Sequence, residues 1–263
     1  FNWIKEKDRL LGCIKNSDVV IMDSYLADKT LYKEILKVSS CKILAMIDDY
    51  RRIDYPDGIV VNPSIYGEKL NYPKKDGLIY LSGKDYIILR KEFWKAAVKK
   101  INKDIKNILI TFGGINYSDR VYKIVNYLEN KFNFNLCVID PVKNRVNAKE
   151  MLDLMLKADL CISGGGQTTY ELARVGVPTI GICFSDNQRM NLDAWKEKGF
   201  IEYIGWSNSL DLCKDFSSAI EKLSSQKLRQ KMSEIGRAFV DGQGARRIVE
   251  GILKLSNKRA DDD

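Results

Sequence analysis

Short, wholly apolar runs recur along this chain, separated by stretches of helical period. Asp18-Val-Val-Ile-Met-Asp23, Lys42-Ile-Leu-Ala-Met-Ile47, Gly58-Ile-Val-Val-Asn62-Pro63 and Leu78–Leu81 read as four buried strands. A second series follows at Asn107–Phe112, Asn135–Ile139, Leu160–Ile162 and Thr179–Ile182. Helical spacing covers Trp3, Ile4, Leu10, Leu11 and Ile14, then residues 31–38. It returns at 118–130, with Ser118 or Asp119 as cap, and at 148–157 and 168–175. Helices are also predicted over 187–198 (closed by Gly199), 212–223, 227–239 and 245–255. Strands alternating with helices or loops predict an α/β protein with doubly wound parallel sheets. The aromatic passage Tyr86–Lys95 gives way to lysine-rich Lys99–Lys106, which sets a domain boundary near residue 100. The expected domains are 1–100 and 101–263, with a frayed charged tail at Lys258–Asp263.

Within the second series, the stretch from Asp159 to Ile182 concentrates the candidate chemistry. It runs strand, glycine turn (Gly164–Gly166), helix (168–175) and strand. Glycines bend tightly and leave amide N–H groups uncovered, and the following helix directs its positive end at the same place. Together they make a site for an anion such as a diphosphate. Glu171, one turn into that helix, is placed to reach ribose hydroxyls. The next strand ends in Ser185-Asp-Asn-Gln188, a second polar loop at the carboxyl end of a strand, where open α/β sheets bind ligands. Gly113-Gly114 forms another glycine turn after a strand. In the first half, Asp23-Ser-Tyr25 and Asp48-Asp49 also follow strands. Asp23 and Tyr25 are candidates there, against an ordinary turn with Asp or Ser as helix cap. The paired acids lack a third metal ligand nearby.

Composition narrows the class. The chain has 263 residues, a net charge of +8 carried mostly by lysine, and no histidine, which removes the commonest acid–base residue and metal ligand. A lysine-rich solvated surface accounts for the charge, with some steering of small anions. Basic runs interleaved with aromatics are absent, so nucleic acid is not an expected partner. No apolar stretch approaches the roughly 20 residues that span a bilayer. The six isolated cysteines, Cys13, Cys41, Cys137, Cys161, Cys183 and Cys213, read as buried thiols of a cytoplasmic protein.

The pieces taken in order resemble a known family. The glycine turn with Thr168-Thr-Tyr-Glu-Leu172, then Gly176-Val-Pro178 and Asp186-Asn-Gln188, looks like the C-terminal domain of GT-B sugar-nucleotide enzymes. Within that group the chain is most similar to the UDP-2,4-diacetamido-2,4,6-trideoxy-β-L-altropyranose hydrolase of pseudaminic acid biosynthesis and its SpsG-type spore-coat relatives. Asp23-Ser-Tyr25, Ile47-Asp-Asp49, Val60–Pro63, Leu89–Phe93, Phe112-Gly-Gly114 and Asp241–Ile248 occur in the matching order. The resemblance implies two Rossmann-like domains with parallel sheets facing a cleft, and UDP held mainly by the C-terminal one. It implies that Gly165, Gly166 and Thr168 contact the diphosphate and Glu171 the ribose, with Gly114 also among the UDP-binding residues. Asn187 and Gln188 would face sugar or phosphate, and Tyr25 the reacting sugar. Gln167 stands where the family has serine.

The implied reaction is attack of water on the anomeric carbon of the UDP-sugar, with no metal and no cofactor. The family's general base is a histidine in a glycine-rich loop after the first strand, and this chain has neither. With the start at Phe1, this leads to the expectation of an incomplete N-terminal domain. A GT-B glycosyltransferase using the same donor site, and a non-catalytic sugar-nucleotide-binding protein, stay open as alternatives. Oligomeric state is not legible.

Overall fold

In the computed structural model the described residues are 5–38, 43–114 and 119–261, with side chains to residue 255. Trp3, Ile4, Cys41, Ser118 and the last two residues of the tail lie outside them. The chain divides into two compact units, residues 1–88 with 243–263, and residues 89–242.

The first unit contains α1 (Lys7–Ile14), β1 (Val19–Met22), α2 (Lys29–Val38), β2 (Ile43–Ile47), β3 (Gly58–Asn62) and β4 (Leu78–Ser82). The strands lie side by side in sequence order, all parallel. Alternate residues of a strand face opposite ways, and both faces of the inner strands β2 and β3 are covered. Val20, Leu44, Met46 and Val60 pack on Leu31, Tyr32 and Ile35 of α2. Ile43, Ala45, Ile59, Val61 and Leu81 pack on Ile248 and Ile252 instead. That requirement for cover on both faces explains why the runs are apolar throughout.

The second unit carries β5 (Asn107–Thr111), α3 (Asp119–Lys131), β6 (Asn135–Ile139), α4 (Ala148–Lys157), β7 (Leu160–Gly164) and α5 (Thr168–Val175). It continues through β8 (Thr179–Cys183), α6 (Asp186–Lys198), β9 (Ile201–Trp206), α7 (Leu212–Leu223) and α8 (Gln226–Phe239). Its parallel sheet has the order β6-β5-β7-β8-β9. The chain therefore steps outward from β5 to β6 and then crosses back to β7. Strand order reverses between β5 and β7, and the carboxyl ends of those two strands form the switch point where α/β sheets bind ligands. Ile108, Ile110, Ile162, Ile180 and Ile182 pack against Val121, Ile124, Leu128, Phe216 and Leu223 from α3 and α7.

Four points differ from the sequence reading. The unit boundary falls at 88/89 instead of 100. The last helix, α9 (Gly244–Asp261), belongs with the first unit, because Ile248 and Ile252 cover the second face of its sheet. Strand β9 was not foreseen. It lies at an edge and is mostly half-buried, and its register with β8 shifts at Gly181/Cys183. Two of the cysteines expected to be buried, Cys13 and Cys213, are exposed on the solvent sides of α1 and α7, while Cys161 and Cys183 are buried.

Candidate functional site

Two glycine turns meet at the switch point of the second sheet. After β5 the backbone turns at Gly113 with φ +66°, and a side chain there would come 3.7 Å from Thr168 Oγ1. The turn after β5 and the first residue of α5 are thus neighbours. Among the described residues, no atom lies within 4 Å of a would-be Cβ at Gly114 or Gly166. Gly165 differs: a Cβ would meet Gln188 O at 2.6 Å and the Leu192 Cγ at 2.7 Å. Its lack of a side chain lets α6 lie directly against the turn.

Among the helices that start at this edge, α4, α5 and α6 differ at their N-termini. The N-terminus of α4 is closed by a capping box, in which Glu150 N donates to Asn147 Oδ1 at 3.0 Å and Asn147 N donates to Glu150 Oε2 at 2.7 Å. The starts of α5 and α6 have no side-chain cap. In their first turns Thr169 N, Tyr170 N and Gln188 N donate to Gly166 O, Gln167 O and Ser185 O at 3.1, 3.1 and 2.9 Å, and each helix directs its positive end to this edge.

Beneath the turn lies a buried polar network. Asn191 Nδ2 donates to Gly165 O at 2.9 Å and to Thr169 Oγ1 at 2.8 Å. Thr169 in turn donates to Gly166 O at 2.8 Å, Trp195 Nε1 donates to Thr169 at 3.2 Å, and Tyr170 OH donates to Asn191 Oδ1 at 2.8 Å. Buried polar atoms are costly unless bonded, so this closed set holds the Gly165 and Gly166 carbonyls in place.

The predicted residues fall as follows. Gly114, Gly165, Gly166, Thr168 and Glu171 gather on the β5 and β7 loops and the first turn of α5, with Asn187 and Gln188 on the neighbouring α6. Glu171 is buried, and both its oxygens are held by Arg90, whose Nε and Nη2 donate at 2.6 and 2.8 Å. That carboxylate holds the Arg90 guanidinium above its ordinary pKa, chiefly through the hydrogen bonds. Gln188 is also buried, and its Oε1 accepts from Phe184 N at 3.1 Å. Asn187 is exposed and bonded to Ser185. Tyr25 stands in the first unit, 64% exposed, with its hydroxyl bonded to Asp49. Among the described residues no three of Cys, Asp and Glu gather so as to hold a metal, and no helix is long and apolar enough to cross a membrane.

Sequence reasoning missed Arg90, Thr169 and Asn191. Asn191 was findable, since a polar residue one turn before Trp195 and next to Leu192 on a buried helix face must have buried partners. Arg90 was not, because nothing local ties it to a glutamate 81 positions away.

The glycosyltransferase family 28 C-terminal domain matches residues 90–250, and the chain belongs to that family. Three curated relatives extend the similarity. An uncharacterized protein of Methanocaldococcus jannaschii is 30% identical over 75% of this chain and 48% of its own length. The spore coat polysaccharide biosynthesis protein SpsG of Bacillus subtilis is 26% identical over 89% of this chain and 76% of its own. The pseudaminic acid cytidylyltransferase and UDP-2,4-diacetamido-2,4,6-trideoxy-beta-L-altropyranose hydrolase of Helicobacter pylori is 30% identical over 78% of this chain and 41% of its own. The chain thus spans about half the length, or less, of two of these relatives. The crystal structure of MurG from Acinetobacter baumannii shares the fold, with a TM-score of 0.58 at 14% identity over 86% of this chain and 77% of that one.

Proposed function

We propose that residues 89–242 bind the nucleotide part of a UDP-sugar, and that the chain serves hydrolysis of that UDP-sugar in surface-polysaccharide or nonulosonic acid biosynthesis. The observation that carries this is the meeting of the Gly113-Gly114 and Gly164–Gly166 turns at the switch point, beside the uncapped start of α5. Amides of Gly114, Gly166 and Thr168 hold the diphosphate, and Gly165 lets α6 approach. The positive end of α5 is suited to stabilise the charge that builds on a UDP leaving group. Glu171 holds the ribose. A carboxylate offers about four lone-pair sites, so Arg90 orients it without exhausting it. Asn187 and Gln188 face the sugar or phosphate, and Tyr25 belongs on the side of the reacting sugar.

The printed activity of the H. pylori relative supports hydrolysis. The family match favours a second reading, transfer of the sugar to an acceptor hydroxyl from the same donor site. Calorimetric titration with UDP, ADP and GDP tests the site: selective micromolar UDP binding is expected, and equal or absent binding sinks it. With the UDP-sugar as sole substrate, release of free reducing sugar marks hydrolysis. Consumption only when an acceptor is added marks transfer.

A further inference from the structure

A pocket of about 330 Å³ lies within the second unit, between α3 and the loop that joins β9 to α7. No residue of the two glycine turns lines it, nor does Glu171, Asn187 or Gln188. Its wall divides by chemistry. Ile124, Phe216 and the Tyr127 ring are apolar, and the Tyr127 hydroxyl is already engaged, donating to Cys213 O at 2.8 Å and lying 2.7 Å from Ser217 Oγ. Arg120 and Lys123, three residues apart on one face of α3, add two exposed cations. Among the described residues neither forms an ion pair, and no carboxylate lines the pocket. Ser207 completes the wall. It is buried at the end of β9, where its N–H donates to Cys183 O at 2.9 Å, yet its hydroxyl has no hydrogen-bond partner among the described residues.

We propose that this pocket binds a small phosphomonoester carrying a compact apolar group, at a site separate from the glycine turns. A buried hydroxyl left without a partner is costly, and an anionic oxygen supplies the acceptor that Ser207 lacks. Arg120 and Lys123 bring charge-assisted donors, the strong kind for phosphate. Three donor groups thus match the three terminal oxygens of a phosphomonoester. The apolar remainder of the ligand covers Ile124, Phe216 and the Tyr127 ring, removing that surface from water. Each half of the ligand alone leaves half the wall unmet. The volume is at the low end for small-molecule sites, which suits a ligand smaller than a UDP-sugar.

The pocket carries its own reporter. Cys213 lines it and is exposed, while Cys13 is exposed on α1 of the first unit. A ligand seated between α3 and α7 shields the first thiol from a soluble alkylating reagent and leaves the second open.

The test titrates the whole chain calorimetrically with hexyl phosphate, and with inorganic phosphate and hexanol as the two halves of that probe. Hexyl phosphate should bind at least about tenfold more tightly than either half. Arg120→Ala and Lys123→Ala should each weaken it about tenfold, the loss of one charge-assisted hydrogen bond. Ser207→Ala should weaken it about threefold. All three variants should keep the thermal unfolding and the UDP affinity of the unaltered chain. Hexyl phosphate should also slow alkylation of Cys213 by N-ethylmaleimide, but not that of Cys13, read by peptide mass spectrometry. Absence of binding at millimolar hexyl phosphate overturns the site, as does equal binding by the charge variants. Hexanol binding as tightly as hexyl phosphate overturns the phosphate class and leaves an apolar crevice. Displacement by saturating UDP, or an unshielded Cys213, places the probe elsewhere and overturns the separate site.

Discussion

The two sheets carry their polar edges in opposite ways. At the first sheet, side chains do the presenting: Asp48, Asp49, Arg52, Tyr25 and Tyr72 form a bonded cluster over the strand ends. At the second, backbone presents, and the side chains Asn191, Thr169 and Tyr170 are sunk beneath it to hold the turn in shape. Backbone amides suit a diphosphate, whose charge is recognised by any outward N–H. Side chains suit a sugar, whose substituents need individual partners. A backbone site is therefore indifferent to many substitutions but sensitive to turn geometry, and a side-chain site is the reverse.

The largest effect expected is at Gly165. Valine there has no room beneath α6, so Gly165→Val should abolish measurable UDP binding and lower stability by about 1–3 kcal/mol. Gly166→Val is the control, because its surroundings are open within the chain. It should leave thermal unfolding nearly unchanged yet weaken UDP binding more than about tenfold, one decade per 1.4 kcal/mol. If Gly166→Val binds UDP normally, the turn is only a turn. Next comes Glu171→Ala, expected to weaken UDP binding by more than about tenfold in calorimetry. Unchanged affinity would remove Glu171 from the site and leave its pair with Arg90 as a brace of α5.

Periodicity made most elements readable: α4, α5, α7 and β6 have the bounds their patterns predict. It could not distinguish Gly165 from Gly166, one pinned under α6 and one open, because that difference depends on Leu192 and Gln188 arriving from another helix. Nor could it assign α9. An apolar stripe through Ile248 and Ile252 announces a buried face without saying which sheet it covers. Strand β9 was lost because Glu202, Tyr203 and Gly205 break the apolar run that marks the inner strands. The separate environments of Asp48 and Asp49 were also illegible, since adjacent identical residues on an extended chain diverge only once the sheet exists.

Asn191→Ala tests the support under the backbone site. It strips a partner from Gly165 O, Thr169 and Tyr170, and buried groups left unsatisfied cost about 1–3 kcal/mol. Chemical denaturation should show that loss. UDP affinity should fall by less than in Gly166→Val, because no ligand contact is removed. An equal fall would mean that the turn needs its buried brace as much as its open face.

The smallest effect on nucleotide affinity should come from Tyr25→Phe, and there the comparison is sharpest. Tyr25 sits in the first unit, with its hydroxyl directed to Asp49, and removing that oxygen deletes no amide of the glycine turns. UDP binding should stay within about twofold. Turnover of the UDP-sugar should drop if Tyr25 meets the reacting sugar as proposed, by about a hundredfold or more for a group that acts in acid–base catalysis. The exposed position of Tyr25 makes a folding defect a poor explanation for any loss. Equal loss of binding and turnover would mark Tyr25 as structural and merge the two edges into one device; loss of turnover alone keeps recognition of the diphosphate with the backbone and chemistry with the side chains.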